Sequence, residues 1–172
     1  MQNISLGTVF NQAMDFYKLC LEAFANTKYT VILSVGRGTQ VAGFGEIPAN
    51  FIVRNYVPQL EVLQHAKLFI THGGMNSTSE GLFYGVPLIV LPQSADQPAV
   101  AQRVAEIGAG IRLKQEGLIA GELREATERV LNDASFRKAS VDIGASCRII
   151  AGGYHLAVEE IFAYKRSIGI ME

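Results

Sequence analysis

Between Leu68 and Gln97 the chain concentrates residue types that handle phosphates and sugar hydroxyls. An apolar run, Leu68-Phe-Ile-Thr71, stops on His72-Gly73-Gly74 and passes through Asn76 and Ser77, read here as capping residues, into a helical pattern. A helix start carries N–H groups with no intrahelical acceptor and the positive end of the helix dipole. With an imidazole beside it, it offers a phosphate several donors at one point. The bland reading of His72 is a satisfied core histidine. Its place at the end of a strand, beside two glycines and two capping residues, favours a binding role, whereas His65 and His155 keep the bland reading. Glu80 follows Asn76 by four residues and so lies one turn further along the same helix face. A carboxylate there can accept both hydroxyls of a ribose; the plain alternative is a solvated face. Asp96-Gln97 follow a strand and Pro92, and a carboxylate with an amide can accept from and donate to several sugar hydroxyls. As a helix cap Asp96 accounts for itself, and Gln97 tilts the pair toward binding. Tyr56 is either a stacking platform for a base or an edge aromatic.

The elements that must position these residues alternate regularly. Short apolar strands are expected at Asn3 to Leu6, Thr30 to Val35, Phe51 to Val53, Leu68 to Thr71, Val86 to Leu91 and Ile111 to Leu113. Helical patterns fall at Gln12 to Phe24, capped by Asn11, after Tyr56-Val-Pro-Gln59, at Asn76 to Tyr84, and at Gln97 to Ile107, closed by Gly108. Three more follow at Gly121 to Asn132, Ser135 to Ile150 and Tyr154 to Ile168, the last two separated by Gly152-Gly153. Gly36 to Gly45 reads as a mobile glycine-rich loop. Strand-helix alternation of this kind predicts an α/β fold, a Rossmann-like doubly wound parallel sheet of about six strands with helices on both faces. Ligands bind such sheets at the carboxyl ends of the strands. Gly7-Thr8, Val35-Gly36, Tyr56-Val57, Thr71-His72 and Pro92 to Gln97 all belong to that edge.

Composition narrows the class. The 172 residues, 49% hydrophobic and 18% charged, fit one globular domain and exclude a disordered chain. A net charge of −1 gives no basic footprint for nucleic acid or an anionic membrane. No apolar run approaches the ~18 residues of a membrane span, and the N-terminus carries no signal-like pattern, so a soluble, cytoplasmic chain is expected. Cys20 and Cys147 lack metal or redox spacing and are expected to be buried thiols. The sequons at Asn3 and Asn76 are read as chance. Absent too are a G-x-x-x-x-G-K-[ST] loop, a strand-linked G-x-G-x-x-G, a G-x-S-x-G elbow and a histidine pair suited to a metal.

Tyr56-Val-Pro-Gln59, Leu63, Thr71 through Thr78, Glu80-Gly81, Gly85-Val-Pro87 and Pro92 through Gln97 together resemble the donor-binding signature of UDP-glycosyltransferases. The likeness is strongest to the bacterial macrolide-type enzymes, which have the GT-B architecture of two facing Rossmann-like domains. Ile4 to Thr8 is similar to the first strand of that family's C-terminal domain. The resemblance implies that His72, the backbone at Gly74, and the Asn76 and Ser77 side chains hold a diphosphate, with Thr8 approaching from the first strand. It further implies that Glu80 takes the ribose hydroxyls, Gln59 and the backbone near Val57 the uracil edge, and Asp96 with Gln97 the sugar. Tyr56 and Met75 stand where plant relatives carry tryptophans.

On this resemblance residues 1–172 are a single nucleotide-sugar-binding domain, the C-terminal half of an inverting two-domain enzyme that transfers a hexose from a UDP-glucose-like donor. No cofactor and no metal are expected, since the UDP-sugar is a co-substrate. The general base and the site for a small-molecule acceptor hydroxyl are expected in an N-terminal domain that this chain lacks, leaving the chain alone inactive and part of its surface open to self-association. Two other readings remain: a donor-binding subunit of a two-component N-acetylglucosamine transferase, and a non-catalytic nucleotide-sugar-binding module.

Overall fold

A computed structural model of the protein describes residues 2–5, as backbone alone, and residues 14–148. Six strands, β1 (Gln2–Ser5), β2 (Val31–Ser34), β3 (Phe51–Arg54), β4 (Leu68–Thr71), β5 (Leu88–Val90) and β6 (Gly110–Arg112), form one sheet in the order β3-β2-β1-β4-β5-β6. Every pairing is parallel. The order reverses between β1 and β4, which makes the crevice beyond their carboxyl ends the topological switch point. The His72-Gly73-Gly74 loop leaves β4 there.

Period-two alternation along the strands explains why helices cover both faces. Leu68 and Ile70 of β4 join one core with Ile89 of β5, while Phe69 joins the other with Leu88 and Val90. The first core is roofed by α1 (Met14–Phe24) and α5 (Ala120–Asn132), through Phe16, Tyr17, Phe24, Leu123 and Val130. Its counterpart lies under α2 (Gln59–His65), α3 (Met75–Phe83) and α4 (Gln97–Glu106), through Leu63, Leu82, Val100 and Val104. Truncating a side chain as completely buried as Phe69 costs about 3–5 kcal/mol. At the sheet edge β3 buries Phe51 and Val53 and leaves Ile52 and Arg54 exposed, so only one of its faces is covered.

Several expectations are revised. The segment Gly36 to Gly45 is tied down rather than bare: Asn55 Nδ2 donates to the carbonyls of Gly36 (2.8 Å) and Thr39 (2.6 Å). Within it Val41–Phe44 forms a 3₁₀ turn whose Phe44 is buried edge-on against Tyr17. Cys20 is fully buried as expected, and burial pushes its thiol pKa far up. Cys147 is exposed, because it lies on the outer side of the helical residues 134–148. His65 is exposed in the last turn of α2, not a core histidine. Thr8, the Asn11 cap, Ile150, Gly152-Gly153, the Tyr154 to Ile168 helix and His155 lie outside the described residues.

At the end of the sheet opposite the strand carboxyl ends, two side chains close α1. Arg124 Nε donates to the Ala23 carbonyl at 2.6 Å, and Asn50 Nδ2 to the carbonyls of Phe24 and Tyr29 at 2.9 Å each. Both reach last-turn or post-helical acceptors, and the Phe24 carbonyl also accepts from Thr27 Oγ1 at 2.8 Å. No helix among the described residues is long and apolar enough to cross a membrane.

Candidate functional site

Thr71 ends β4 fully buried, and its Oγ1 accepts from the Gly73 N–H at 3.3 Å, which turns the chain sharply out of the sheet. Gly73 takes φ +87°, and a Cβ there would lie 2.5 Å from Val90 Cγ1. Both the positive φ and the close approach to β5 exclude a side chain. The Gln97 carbonyl is 3.6 Å from that same point, so the loop after β4 and the start of α4 are neighbours.

Gly74 is the residue that opens α3, and the Thr78 N–H bonds to its carbonyl at 3.0 Å. Asn76 and Ser77 therefore lie within the first turn and are not caps, and no side chain caps this helix. The expectation placed the helix start too late because Gly73-Gly74 read as loop. The outcome leaves the first-turn N–H groups of α3 unshielded by a capping oxygen.

His72 lies across this opening. A methyl group on Gly74 would sit 2.6 Å from His72 Nε2, so the imidazole edge rests on the helix start. Its Nδ1 is buried without a hydrogen-bond partner among the described residues. Burial lowers the His72 pKa from its ordinary value, and the Asp96 carboxylate partly opposes that shift. The ring thus sets its Nε2 edge beside the first-turn N–H groups of α3.

Asp96 precedes α4 at φ −81°, ψ −12°, a helical rather than capping conformation, and makes no capping hydrogen bond. The expected cap is therefore not formed, and the exposed carboxylate stands near His72. Gln97 is 5% exposed, and its Oε1 accepts from the Gln93 (2.8 Å) and Ser94 (3.2 Å) N–H groups. That side chain shapes the loop after β5, while its Nε2 makes no hydrogen bond among the described residues.

On the other flank Gln59, the first residue of α2, donates from Nε2 to Glu80 Oε2 at 2.6 Å and reaches Ser77 Oγ at 3.4 Å. These contacts join the first segment of the signature to its central one. Val57 is buried, while Tyr56 is 69% exposed and lies outside both cores. Met75 is exposed at the first position of α3.

Two residues that position the site had no role assigned from sequence. Thr71 holds the turn, and Gly81 lets α3 approach the sheet: a Cβ there would lie 2.8 Å from Leu88 Cδ2 and 3.1 Å from Phe69 Cδ1. A glycine inside a helical apolar pattern was the available signal. Among the described residues no three His, Cys, Asp or Glu side chains gather as metal ligands. A hollow of about 460 Å³ between β6 and α5, lined in part by Ile111, Leu113, Glu122 and Arg129, includes none of the site residues and no unpartnered buried polar atom.

A six-stranded sheet in this order, with a histidine and glycine turn entering a helix at the switch point, defines the class: a Rossmann-like domain of GT-B glycosyltransferase type. Residues 18–148 match the profile of the erythromycin biosynthesis protein CIII-like C-terminal domain, and the chain belongs to that family of macrolide-type UDP-glycosyltransferase domains. It is 46% identical over 167 residues to the NDP-glycosyltransferase YjiC of Bacillus licheniformis, covering 97% of this chain and 42% of the relative. To the uncharacterized UDP-glucosyltransferase YojK of Bacillus subtilis it is 45% identical over 158 residues, covering 92% of this chain and 39% of the relative. The crystal structure of CalG4, the calicheamicin glycosyltransferase, superimposes with a TM-score of 0.87 at 31% identity, over 97% of this chain and 43% of that one. The chain thus spans about two-fifths of the length of these proteins.

Proposed function

We propose that this chain is the nucleotide-sugar-binding half of an inverting glycosyltransferase, taking a UDP-glucose-like donor for transfer to a hydroxyl of a small-molecule acceptor. The observation that carries the reading is His72, whose imidazole Nε2 lies against the uncapped start of α3 at the switch point. In this reading His72, the Gly74 backbone, Asn76 and Ser77 hold the diphosphate, with Thr8 as the further contact that the family resemblance implies. Glu80 takes the ribose hydroxyls, Gln59 and the Val57 backbone lie toward the base, and Asp96 with Gln97 Nε2 meets the sugar. Membership of the family and the printed names of the relatives support the donor class.

The chemistry on this side is electrostatic. As the anomeric bond breaks, negative charge grows on the departing diphosphate, and donors already aimed at it stabilise that charge without reorganising. Removing one such donor typically slows a reaction by about 10²–10³-fold. General-base activation and positioning of the acceptor belong to an N-terminal domain, and no resident cofactor or metal takes part.

The test is calorimetric. With one wall of the cleft, the chain binds UDP with a Kd of roughly 0.1–1 mM, and His72→Ala abolishes that binding while the far-UV circular dichroism is retained. No heat of binding at millimolar UDP, or an unchanged affinity in the variant, overturns the assignment.

A further inference from the structure

The carboxyl end of α3 makes contacts that the proposed donor site does not use. Helical residues 134–148 lie against it and are anchored to both cores, with Phe136 buried in the first and Ile143 packed on the second. Ser140 Oγ donates to the Ala109 carbonyl at 3.3 Å, which ties the same segment to the residue before β6. Backbone meets backbone where α3 ends on this support. A Cβ on Gly144 would lie 2.6 Å from the Leu82 carbonyl oxygen and 2.8 Å from that of Phe83. One on Gly85, at φ +64°, would lie 2.9 Å from Val141 Cγ2. Arg148 closes the contact: its Nη1 donates to the Phe83 carbonyl, and its guanidinium carbon stands 5.7 Å from the centre of the Phe83 ring. A last-turn carbonyl has no intrahelical partner, and a cation beside it complements the helix dipole. Stacking on the ring holds the planar group in place.

The buried residues of α3 are Thr78, Gly81 and Leu82, whereas Met75 and Asn76 at its start are exposed. Apart from the Gln59 amide, the helix is therefore gripped from its middle to its end, and its first turn is held from behind. Its nine residues rise about 13 Å and contain no proline, so they move as one stiff rod. A change of tilt at Phe83, about the contact of Gly81 with the sheet, displaces the first turn. We propose that Arg148 is a positioning residue for the diphosphate site: by holding the carboxyl end of α3 on residues 134–148, it sets the angle at which the first-turn N–H groups of α3 meet the phosphates. The inference rests on the proposed donor site. Arg148 grips the far end of the helix and acts through it, not on the ligand. Hydrogen bonds weaken steeply once donor and acceptor fall out of line. Residues that touch no ligand alter affinity through such shifts by about 2–30-fold.

The experiment is a calorimetric titration of the full chain with UDP, comparing wild type with Arg148→Ala, Gly144→Ala and Lys138→Ala under conditions where circular dichroism shows each protein fully folded. Arg148→Ala weakens UDP by about fivefold. Gly144→Ala keeps the arginine but pushes the Leu82 and Phe83 carbonyls away, and weakens UDP at least as much. Lys138→Ala removes an equal charge from the same helical segment, where Lys138 pairs with Asp142 and not with α3, and leaves the affinity unchanged. A role confined to stability lowers the urea midpoint without altering the affinity of the folded protein, so an unchanged affinity in Arg148→Ala overturns the inference. Equal weakening in Lys138→Ala makes the effect one of net charge and overturns it as well. Either result leaves the donor site standing, whereas wild type that binds no UDP removes the donor site and this inference together.

Discussion

His72 combines a half-buried ring, an unpartnered Nδ1 and a neighbouring carboxylate, and these set a pH dependence of stability. Its pKa in the fold is lowered from an ordinary value of 6.5 by burial, with Asp96 opposing. Between those two values the unfolded chain binds more protons than the folded one, so stability rises with pH. The contribution is fully present above the ordinary value and is lost as the pH falls below it through the folded value. Urea midpoints measured at about pH 7.5 and about pH 5.5 should therefore differ more in wild type than in His72→Gln. Equal differences in the two proteins refute the coupling.

Among the elements, α3 matters most, because it carries Asn76, Ser77 and Glu80 and its start faces the switch point. Its depth against the sheet depends on Gly81, whose missing side chain admits Leu88 and Phe69. Gly81→Leu overfills that contact and should cost about 1–3 kcal/mol, read as a lower urea midpoint. The same shift displaces the adjacent Glu80, so UDP affinity falls with it; a variant with both unchanged shows that α3 has room to spare. Helix α4 is closed as its sequence pattern predicts, with Gly108 at φ +70° just beyond the Ile107 cap. Its start departs from the pattern because Asp96 takes helical backbone angles and keeps its carboxylate free.

At the scale of the whole molecule, the sheet order sets the loops after β4 and β5 side by side, and α2 brings residues that follow β3 to α3 through Gln59 and Glu80. In the proposed reading the crevice at the switch point is one wall of a two-domain cleft. The chain alone should transfer no sugar from UDP-glucose, and joined to the N-terminal portion of the Bacillus licheniformis relative it should gain measurable transfer. A joined protein that binds UDP and remains inactive counts against the half-enzyme assignment. Strand existence and order of elements were legible because parallel strands buried on both faces leave continuous apolar runs such as Leu68 to Ile70, preceded by Lys67 and followed closely by Gly73-Gly74. His72, Glu80 and Asp96 stood out in the sequence because each falls just after a strand or on one helix face, and the fold sets Asp96 near His72. Side-chain partners were not. That Gln59 engages Glu80, that Gln97 Oε1 holds its own loop, that Asn55 and Arg124 bond to carbonyls far away in sequence, and that Asn76 and Ser77 do not cap are all set by packing. Periodicity specifies which face of an element is apolar, and that depends on local spacing alone. Which polar atoms meet depends on the angle and depth at which the elements dock, and those come from distant contacts such as Gly81 against Phe69 and Gly73 against Val90.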